Sequence, residues 1–473
     1  MTTSSNQKHH VTAPVDKVSL GKKILYGSGS FADMTFQWTL IAFALPIFNQ
    51  ELGFSPIIIG LVLGITRIWD GVTDPIMGSI SDNARTRWGR RRPFIGAGAI
   101  LSSIFFIIIW MVPTGISDWQ FFAYFLVTSL LFYTSFTIFS VPLYALGYEM
   151  SSDYHERTKM MGVRIFANSF NGVILFPWFL WFMKRPIWGG DTTLGIRMVG
   201  LGIGLLMLVF ALIPALTLRE KKRKYVEKQE HVSILKSLKF TFSSKPYLYL
   251  IIAFFAILFS YNTIATAYSY PLRYFVCGGN EDLFSLWFGR IEGFHHVATL
   301  LALWPINVLS KKFGKRNIAL MGPIFMILGA LSNLVCYVPN MPWLIFIPRG
   351  LSAIGLSCIF VLIPSMIADV VDHDELKTGT RREGMFGAVH FWVIKIALAL
   401  GLVATGILVE ATGFKVELGI NQPVGTIKNI ILLLAILPAI GAAFALYLIP
   451  RYSLTEKKMY EIREVLEKRR GIG

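Results

Sequence analysis

Two aspartates lie one helical turn apart inside an apolar segment of the chain. The stretch RIWDGVTDPIMGSISDNARTRWGRRRPF at residues 67–94 places Asp70 and Asp74 at positions i and i+4. On a helix these side chains share a face, roughly 6 Å apart along the axis. Two carboxylates this close repel each other unless a cation lies between them, so the spacing suits a site for Na+ or a proton.

Further oxygen-bearing side chains accompany the pair. Thr73 lies beside it, and Thr137 and Asp33 lie within two other apolar segments. Ligands that are all oxygen suit hard cations. Arg67, one turn before Asp70, offers the alternative of an internal salt bridge that only fastens helices together. A carboxylate at the bilayer centre costs at least about 2.5–3.5 kcal/mol on insertion scales, so either role requires a specific partner.

Membrane-spanning helices must position these side chains. Of the 473 residues, 54% are hydrophobic and 15% are charged, whereas soluble domains carry about 25% charged residues. Apolar runs of about 20 residues, each long enough to cross a bilayer as a helix, recur along the chain. The sequence predicts an all-α membrane protein with twelve transmembrane helices, near residues 25–50, 57–81, 93–113, 121–150, 160–183, 194–217, 247–272, 284–309, 317–338, 342–371, 384–410 and 427–449.

The net charge of +17 is distributed unevenly along the chain. Most of the Lys and Arg residues fall in segments predicted to be cytoplasmic, and the predicted external loops carry only Lys184, Arg185, Arg273, Lys415 and Lys428. This positive-inside bias predicts a multi-pass protein of the cell membrane, a bacterial inner membrane, with both termini cytoplasmic. It also argues against a nucleic-acid partner and favours contact with lipid head groups.

The chain divides into two repeated halves. GRR at 89–91 has an echo in GKR at 314–316, at an offset of 225, and Pro142 and Pro364 are offset by 222. The repeat predicts two six-helix bundles with a substrate site between them near the bilayer midplane. The expected units are a cytoplasmic tail at 1–24, bundles at 25–217 and 247–449, a cytoplasmic linker at 218–246 and a tail at 450–473.

The sequence favours no enzyme and no bound cofactor. It has no Gly-rich phosphate-binding loop with a lysine, which argues against ATP hydrolysis. It has no Cys/His spacing typical of a transition-metal site. The expected partners are a small molecule, a coupling ion and the lipid bilayer, and a monomer is expected.

Three motifs resemble one transporter family. RIWDGVTDP, the following GSISDNARTRWGRRRPF, and the AD and VVD residues within 368–372 resemble the glycoside–pentoside–hexuronide:cation symporters. This is the melibiose-carrier group of the major facilitator superfamily, and the resemblance spans nearly the whole chain. It implies a twelve-helix alternating-access fold in which sugar uptake is coupled to Na+, Li+ or H+.

The resemblance also implies roles for individual residues. Asp70, Asp74 and Thr137 match the cation ligands of the family, and Thr73 stands where the melibiose carrier has an asparagine. Asp33 and Arg164 match residues that bind sugar hydroxyls. Lys395 matches a lysine linked to the cation site, and its position near mid-depth predicts an ion pair with an aspartate of the second span.

Other positions depart from the pattern of the melibiose carrier. Ser140 stands where the carrier has a second sugar-binding aspartate, and Tyr144 stands where it has a tryptophan. His390 and Phe391 replace a polar pair, and Phe360 stands where the carrier has an aromatic ring. Losing one carboxylate beside Arg164 makes the pocket more positive, which leaves both an anionic uronide and a neutral glycoside open as substrates.

Two further charged groups have two interpretations each. Arg290, Glu292, His295 and His296 are either pocket residues or a local salt-bridge network. The charges near the predicted cytoplasmic ends are either solvated topology signals or an inner gate whose salt bridges break as the halves rock. The gate candidates are Asp82, Arg87, Arg90, Arg157, Asp369, Asp372, Arg381 and Glu383.

The sequence therefore predicts a secondary transporter that couples Na+ or H+ to uptake of a sugar, glycoside or uronide. Two alternatives remain on the same fold. A Na+-dependent lysophospholipid symporter requires a lipid-wide cleft and a looser polar pocket. A non-transporting sensor should lack a complete cation site, whereas this sequence keeps both Asp70 and Asp74.

Overall fold

The computed structural model describes a helical protein over residues 17–150, 160, 163, 166–167, 170–171, 178–218, 244–379 and 383–469. We number the long helices α1 to α13, with α5 represented by the helical residues 178–183. The others are α1 Leu20–Ala44, α2 Pro56–Asn83, α3 Arg92–Trp110, α4 Asp118–Glu149, α6 Thr192–Thr217, α7 Lys245–Asn262, α8 Glu281–Phe313, α9 Lys315–Cys336, α10 Phe346–Thr378, α11 Glu383–Ala411, α12 Val424–Leu448 and α13 Glu456–Arg469.

The predicted spans coincide with these helices, apart from the end of the seventh and apart from the fifth, which lies mostly outside the described residues. Ten of the described helices are long and apolar enough to cross a membrane. The 33-residue α8 is not among the ten, and it carries Arg290, Glu292, His295 and His296. Its length still exceeds the ~20 residues that a span requires. The all-α fold class is therefore confirmed.

Local sequence signals explain where several helices begin. Ser117 and Gln120 form a capping box at the start of α4, and Asp191 accepts backbone N–H groups at the start of α6. The tight turn between α8 and α9 is made by Gly314, whose φ of 81° would strain a residue with a side chain.

One predicted boundary is wrong, and one predicted tail contains an unexpected helix. The seventh span was expected to run to residue 272, but α7 ends at Asn262 and is followed by turns, a helical turn Ser269–Pro271 and a π-helical turn Leu272–Val276. Thr405 of α11 donates to the Thr263 carbonyl at 2.7 Å, which satisfies one backbone acceptor at the break. The tail at 450–473 contains a helix, α13, whose Met459, Ile462 and Leu466 are buried.

Helix α2 is held between α4 of its own half and α11 of the other half. Small residues allow the α2–α11 approach. A Cβ at Gly60 would lie 2.6 Å from the Leu402 carbonyl oxygen, and one at Gly406 would lie 2.3 Å from the Pro56 carbonyl oxygen. Side chains there would force the helices apart. The contact therefore fixes the face of α2 that carries Asp70 and Asp74 against α11.

Candidate functional site

The two aspartates of α2 converge with a threonine of α4. Asp70 is only 5% exposed. Thr137 Oγ1 lies 3.3 Å from Asp70 Oδ1 and 3.2 Å from Asp74 Oδ1, so one hydroxyl can donate to either carboxylate. Thr73 Oγ1 lies 3.2 Å from Thr137 Oγ1. Carboxylates and hydroxyls from two helices thus meet at one point.

A lysine from the other half of the chain completes this group. Lys395 Nζ of α11 lies 2.5 Å from Asp74 Oδ2 and 3.2 Å from Asp70 Oδ2. It also donates to the Asp70 carbonyl at 3.2 Å. The ion pair expected from the sequence is present, and its positive charge offsets the mutual repulsion of the two carboxylates.

Arg67 is a weaker partner for the aspartates than its spacing suggests. Its Nη1 lies 3.9 Å from Asp70 Oδ2, and its guanidinium lies over the Tyr133 ring at 4.0 Å. The side chain is almost fully buried, and Nε and Nη2 have no hydrogen-bond partner in the described structure. The main counter-charge for the aspartates therefore comes from α11, across the two halves.

The chemistry of this group suits a small hard cation. Its ligands are carboxylate and hydroxyl oxygens, which Na+ prefers and which also accept a proton. A cation bound between the carboxylates would compete with Lys395 for the same oxygens. No cluster of three His, Cys, Asp or Glu side chains suited to a metal occurs within the described ranges.

Helix α4 links this group to Asp33. Ser140, one turn after Thr137, donates to Asp33 Oδ1 of α1 at 2.5 Å. Asp33 is only 1% exposed, and Ser140, which stands where the melibiose carrier has an aspartate, helps to hold it in place. Tyr144 follows on α4 and is half-buried. Arg164, the predicted partner in sugar binding, lies outside the described residues.

The predicted aromatic residues of the second half form one group around Phe254 of α7. The Phe254 ring stacks on His390 at 4.7 Å between centroids and meets Phe360 edge-on at 5.7 Å. The His390 and Phe391 rings are 5.8 Å apart. Phe360 and Phe391 are 46% and 65% exposed, so part of each ring is open to contact with a ligand or with lipid.

The charges of α8 form a network of their own. Glu292 pairs with Arg349 of α10 and accepts from Tyr268 at 2.6 Å. The His295 Nδ1 lies 3.2 Å from the Arg349 carbonyl oxygen. Arg290 instead lies on the exposed side of α8 near Trp287. The structure thus favours the local network for Glu292, whose partner Arg349 the sequence did not single out.

Two of the gate candidates, Asp82 and Asp369, each have an ion pair within their own half. Arg91 pairs with Asp82 at 2.6 Å, and Lys315 pairs with Asp369 at 2.8 Å. Arg90 Nη1 lies 3.5 Å from the Asp82 carbonyl oxygen. The opening of an inner gate stays a prediction. Of the other candidates, Arg87 is exposed, Asp372 is half-buried, Arg157 and Arg381 lie outside the described residues, and only the backbone of Glu383 is described.

Ion pairs between the halves occur at the opposite end of the helices, which we call the Glu51 face (residues 49–55, 184–190 and 269–282). Arg273 Nη2 lies 2.6 Å from Glu51 and 2.5 Å from Glu281. Lys184 Nζ lies 2.7 Å from Glu51 and 2.6 Å from Glu281. The sequence analysis missed this network. Its signal was Lys184 and Arg273, two of the few basic residues in predicted external loops.

The fold and this charged core define a membrane transporter of the major facilitator type. A solved bacterial homolog of the human lysosomal transporter Spinster shares the fold, with a TM-score of 0.67 at 15% identity, covering 91% of this chain and 96% of that one. The chain belongs to the MFS/sugar transport protein family, whose model matches residues 25–456. It is therefore a transporter and not an enzyme.

Named relatives match over most of their length. The putative glycoside/cation symporter YagG of Escherichia coli (strain K12) is 25% identical, covering 96% of each chain. The isoprimeverose transporter of Lactiplantibacillus pentosus is 26% identical over 84% of this chain and 81% of its own. The sodium-dependent lysophosphatidylcholine symporter 1 of Xenopus tropicalis is 24% identical over 95% of this chain and 90% of its own.

Proposed function

We propose that the protein is a symporter that couples Na+ or H+ to uptake of a neutral glycoside. The observation that carries this proposal is the meeting of Asp70, Asp74 and Thr137 from one half with Lys395 from the other. A cation that binds to the carboxylates weakens their hold on Lys395. Ion binding then changes the free energy of contact between the halves, which is the requirement for coupled transport.

Coupling to sugar follows through α4. Thr137 contacts the cation-binding carboxylates, and Ser140, one turn further along, holds Asp33. A shift of α4 on ion binding would change how Asp33 presents its second oxygen to a sugar hydroxyl. Charge-assisted hydrogen bonds of this kind give strong discrimination. Phe360 and Phe391 across the bundles are the proposed stacking surface, and Arg164 and Tyr144 are proposed to complete the polar side.

A neutral substrate fits the charges better than a uronide does. Asp33 remains a carboxylate and would repel an anion nearby.

The charges also support an assignment of the side of the membrane to which the transporter is open in this structure. With both termini cytoplasmic in a bacterial cell membrane, the Glu51 face is external. The network of Glu51, Arg273, Lys184 and Glu281 joins the two halves and then closes the outside. We infer that this state is inward-facing and that the monomer is the transporting unit.

Lysophospholipid symport is the second candidate, since a relative carries that name. The two functions place different demands on the site. A sugar site needs Asp33 and its hydrogen bonds, whereas a lipid site would tolerate their loss.

Counterflow in proteoliposomes tests the proposal. We expect a labelled neutral glycoside to exchange faster when the coupling cation is present, and neutral glycosides to compete better than the matching uronides. Better competition by uronides would overturn the neutral assignment. Competition by lysophosphatidylcholine alone would overturn sugar transport.

A further inference from the structure

A cavity separate from Asp70 and Asp74 lies where α8 turns into α9. It has a volume of about 470 Å³ and is lined by this turn, the end of α10 and the segment leading into α13. Cavities of roughly 300–1,000 Å³ are the usual size of small-molecule sites. One ion pair at its wall, Lys315–Asp369, includes a gate candidate, but the proposed transport cycle places no ligand in this cavity.

The cavity carries an excess of positive charge. Lys311, Lys315 and Arg316 line it, and Asp369 is its only acidic lining residue in the part of the chain that the structure describes. Lys315 neutralises Asp369 through an ion pair at 2.8 Å. Arg316 donates only to the Tyr452 carbonyl, at 3.4 Å, and neither Arg316 nor Lys311 has an ion pair among the described residues. Two positive charges are therefore uncompensated.

The start of α9 adds to this positive field. No side chain caps its N-terminus, where Lys315, Arg316 and Asn317 form the first turn and line the cavity. Free N–H groups and the helix dipole at this end favour an anion. Thr455 and Tyr460 line the cavity from the side of α13 and offer a hydroxyl and an aromatic surface for the rest of a ligand.

We propose that this cavity binds a phosphate monoester or diester, with the phosphate between Lys311, Arg316 and the start of α9. The size of the cavity leaves room for an organic group beside the phosphate. The ligand is either the head group of an anionic phospholipid or a soluble phosphorylated metabolite. Both share the chemistry that the cavity recognises.

Bound phosphate would also join parts of the second half. It would connect the α8–α9 turn to the segment that holds α13 against α10. Tyr452, next to this segment, donates to the Met366 carbonyl of α10 at 3.1 Å. Ligand binding is therefore expected to raise the thermal stability of the protein.

The test uses the full chain in nanodiscs of zwitterionic lipid. One arm titrates glycerol 1-phosphate and measures binding by calorimetry. The other replaces part of the lipid by phosphatidylglycerol and counts retained lipid by native mass spectrometry. We expect binding in at least one arm, and the arm that responds identifies the source of the phosphate.

Neighbouring lysines supply the matched control. Lys311→Gln and Arg316→Gln should each weaken binding by about tenfold, since each removes a charge-assisted hydrogen bond. Lys312→Gln removes the same charge one residue away, but Lys312 does not line the cavity and should change affinity by less than about twofold. No binding in either arm, or equal losses in the Lys311 and Lys312 variants, would overturn the proposal. Because Lys311 is exposed and has no ion pair with any residue that the structure describes, its variant tests binding without disturbing the fold.

Discussion

The charged groups of α2 and α8 occupy equivalent places in the two halves but are paired differently. The offset of 225 that relates 89–91 to 314–316 places Glu292 where α2 has Arg67, and His295 where it has Asp70. The α2 carboxylates are paired by Lys395, from the other half.

Glu292 of α8 is paired instead by Arg349, from its own half. It also accepts a hydrogen bond from Tyr268, which lies beside α8. A charge paired inside one bundle keeps its partner when the bundles move, and so it stabilises that bundle. A charge paired across the bundles must exchange its partner, and so it can couple motion to ion binding. The predictions below test this difference.

Removal of a carboxylate from the cross-bundle pair should have the largest effect. Asp74→Asn should lower concentrative uptake by at least about a hundredfold, because a charged ligand to the coupling cation is lost. Uptake by proteoliposomes against a sugar gradient measures this.

The matched control for that experiment is Thr299→Ala at the equivalent position of α8, which should keep most of the uptake. Sugar accumulation by Asp74→Asn with unchanged cation dependence would show that the cross-bundle pair does not couple uptake to the cation.

Breaking the in-bundle pair should damage stability more than coupling. Glu292→Gln leaves Arg349 buried without a counter-charge, which costs about 3–5 kcal/mol of folding free energy. Thermal unfolding in detergent measures the loss. Lys395→Met should lower the melting temperature less, because a proton or a cation can neutralise the carboxylates it leaves.

A double variant sharpens the result for α8. Arg349→Met added to Glu292→Gln should recover part of the lost stability, since the unpaired charge is removed. Equal losses of stability in the Glu292 and Lys395 variants would contradict the proposed difference between pairs within one bundle and pairs across the bundles.

Substitution of Asp33 tests whether a charged side chain that is paired within one bundle always has a structural role. Its partner Ser140 lies in the same bundle, yet we propose that Asp33 binds sugar. Asp33→Ala should weaken sugar binding by at least about tenfold while cation binding persists. Ser140→Ala should have a smaller effect in the same direction. Calorimetric titration with sugar and with Na+ separates the two, and sugar affinity equal to that of the wild type would remove Asp33 from the site.

The smallest effect is expected at the Glu51 face. Cys277 is buried beside the network, and burial raises the pKa of its thiol to about 12. Arg273→Gln removes a buried cross-bundle ion pair, but Lys184 still pairs with both Glu51 and Glu281. The substitution should therefore speed maleimide labelling of Cys277 by only about threefold to tenfold at neutral pH, a change of about 1 kcal/mol.

The labelling experiment requires Cys336→Ser and Cys358→Ser in the background, because both residues are free cysteines. If Arg273→Gln leaves the labelling rate unchanged and Lys315→Gln raises it, the contact that holds the two bundles together does not lie at the Glu51 face.

The local pattern of apolar residues predicts most of the fold. Apolar runs located the helices because a span buries its own backbone polar groups and needs only length and composition. The break after Asn262 was missed, since residues 263–272 carry no charge and are mostly apolar, and their turns are held by partners such as Thr405 of α11. Helix α13 was missed because a polar amphipathic segment becomes a stable helix only through the bundle that buries Met459 and Leu466.

The sequence by itself determined the helical membrane fold, the one-turn spacing of Asp70 and Asp74, and the depth of Lys395. These depend on residues close together in the chain, or on the cost of a charge in the membrane. Only the tertiary structure decided that Lys395 bridges both aspartates, that Arg349 takes Glu292, and that Arg273 joins Glu51. Each of these pairs depends on which helix faces meet, and that is set by packing between segments far apart in the chain, such as the close approach of Gly60 to α11.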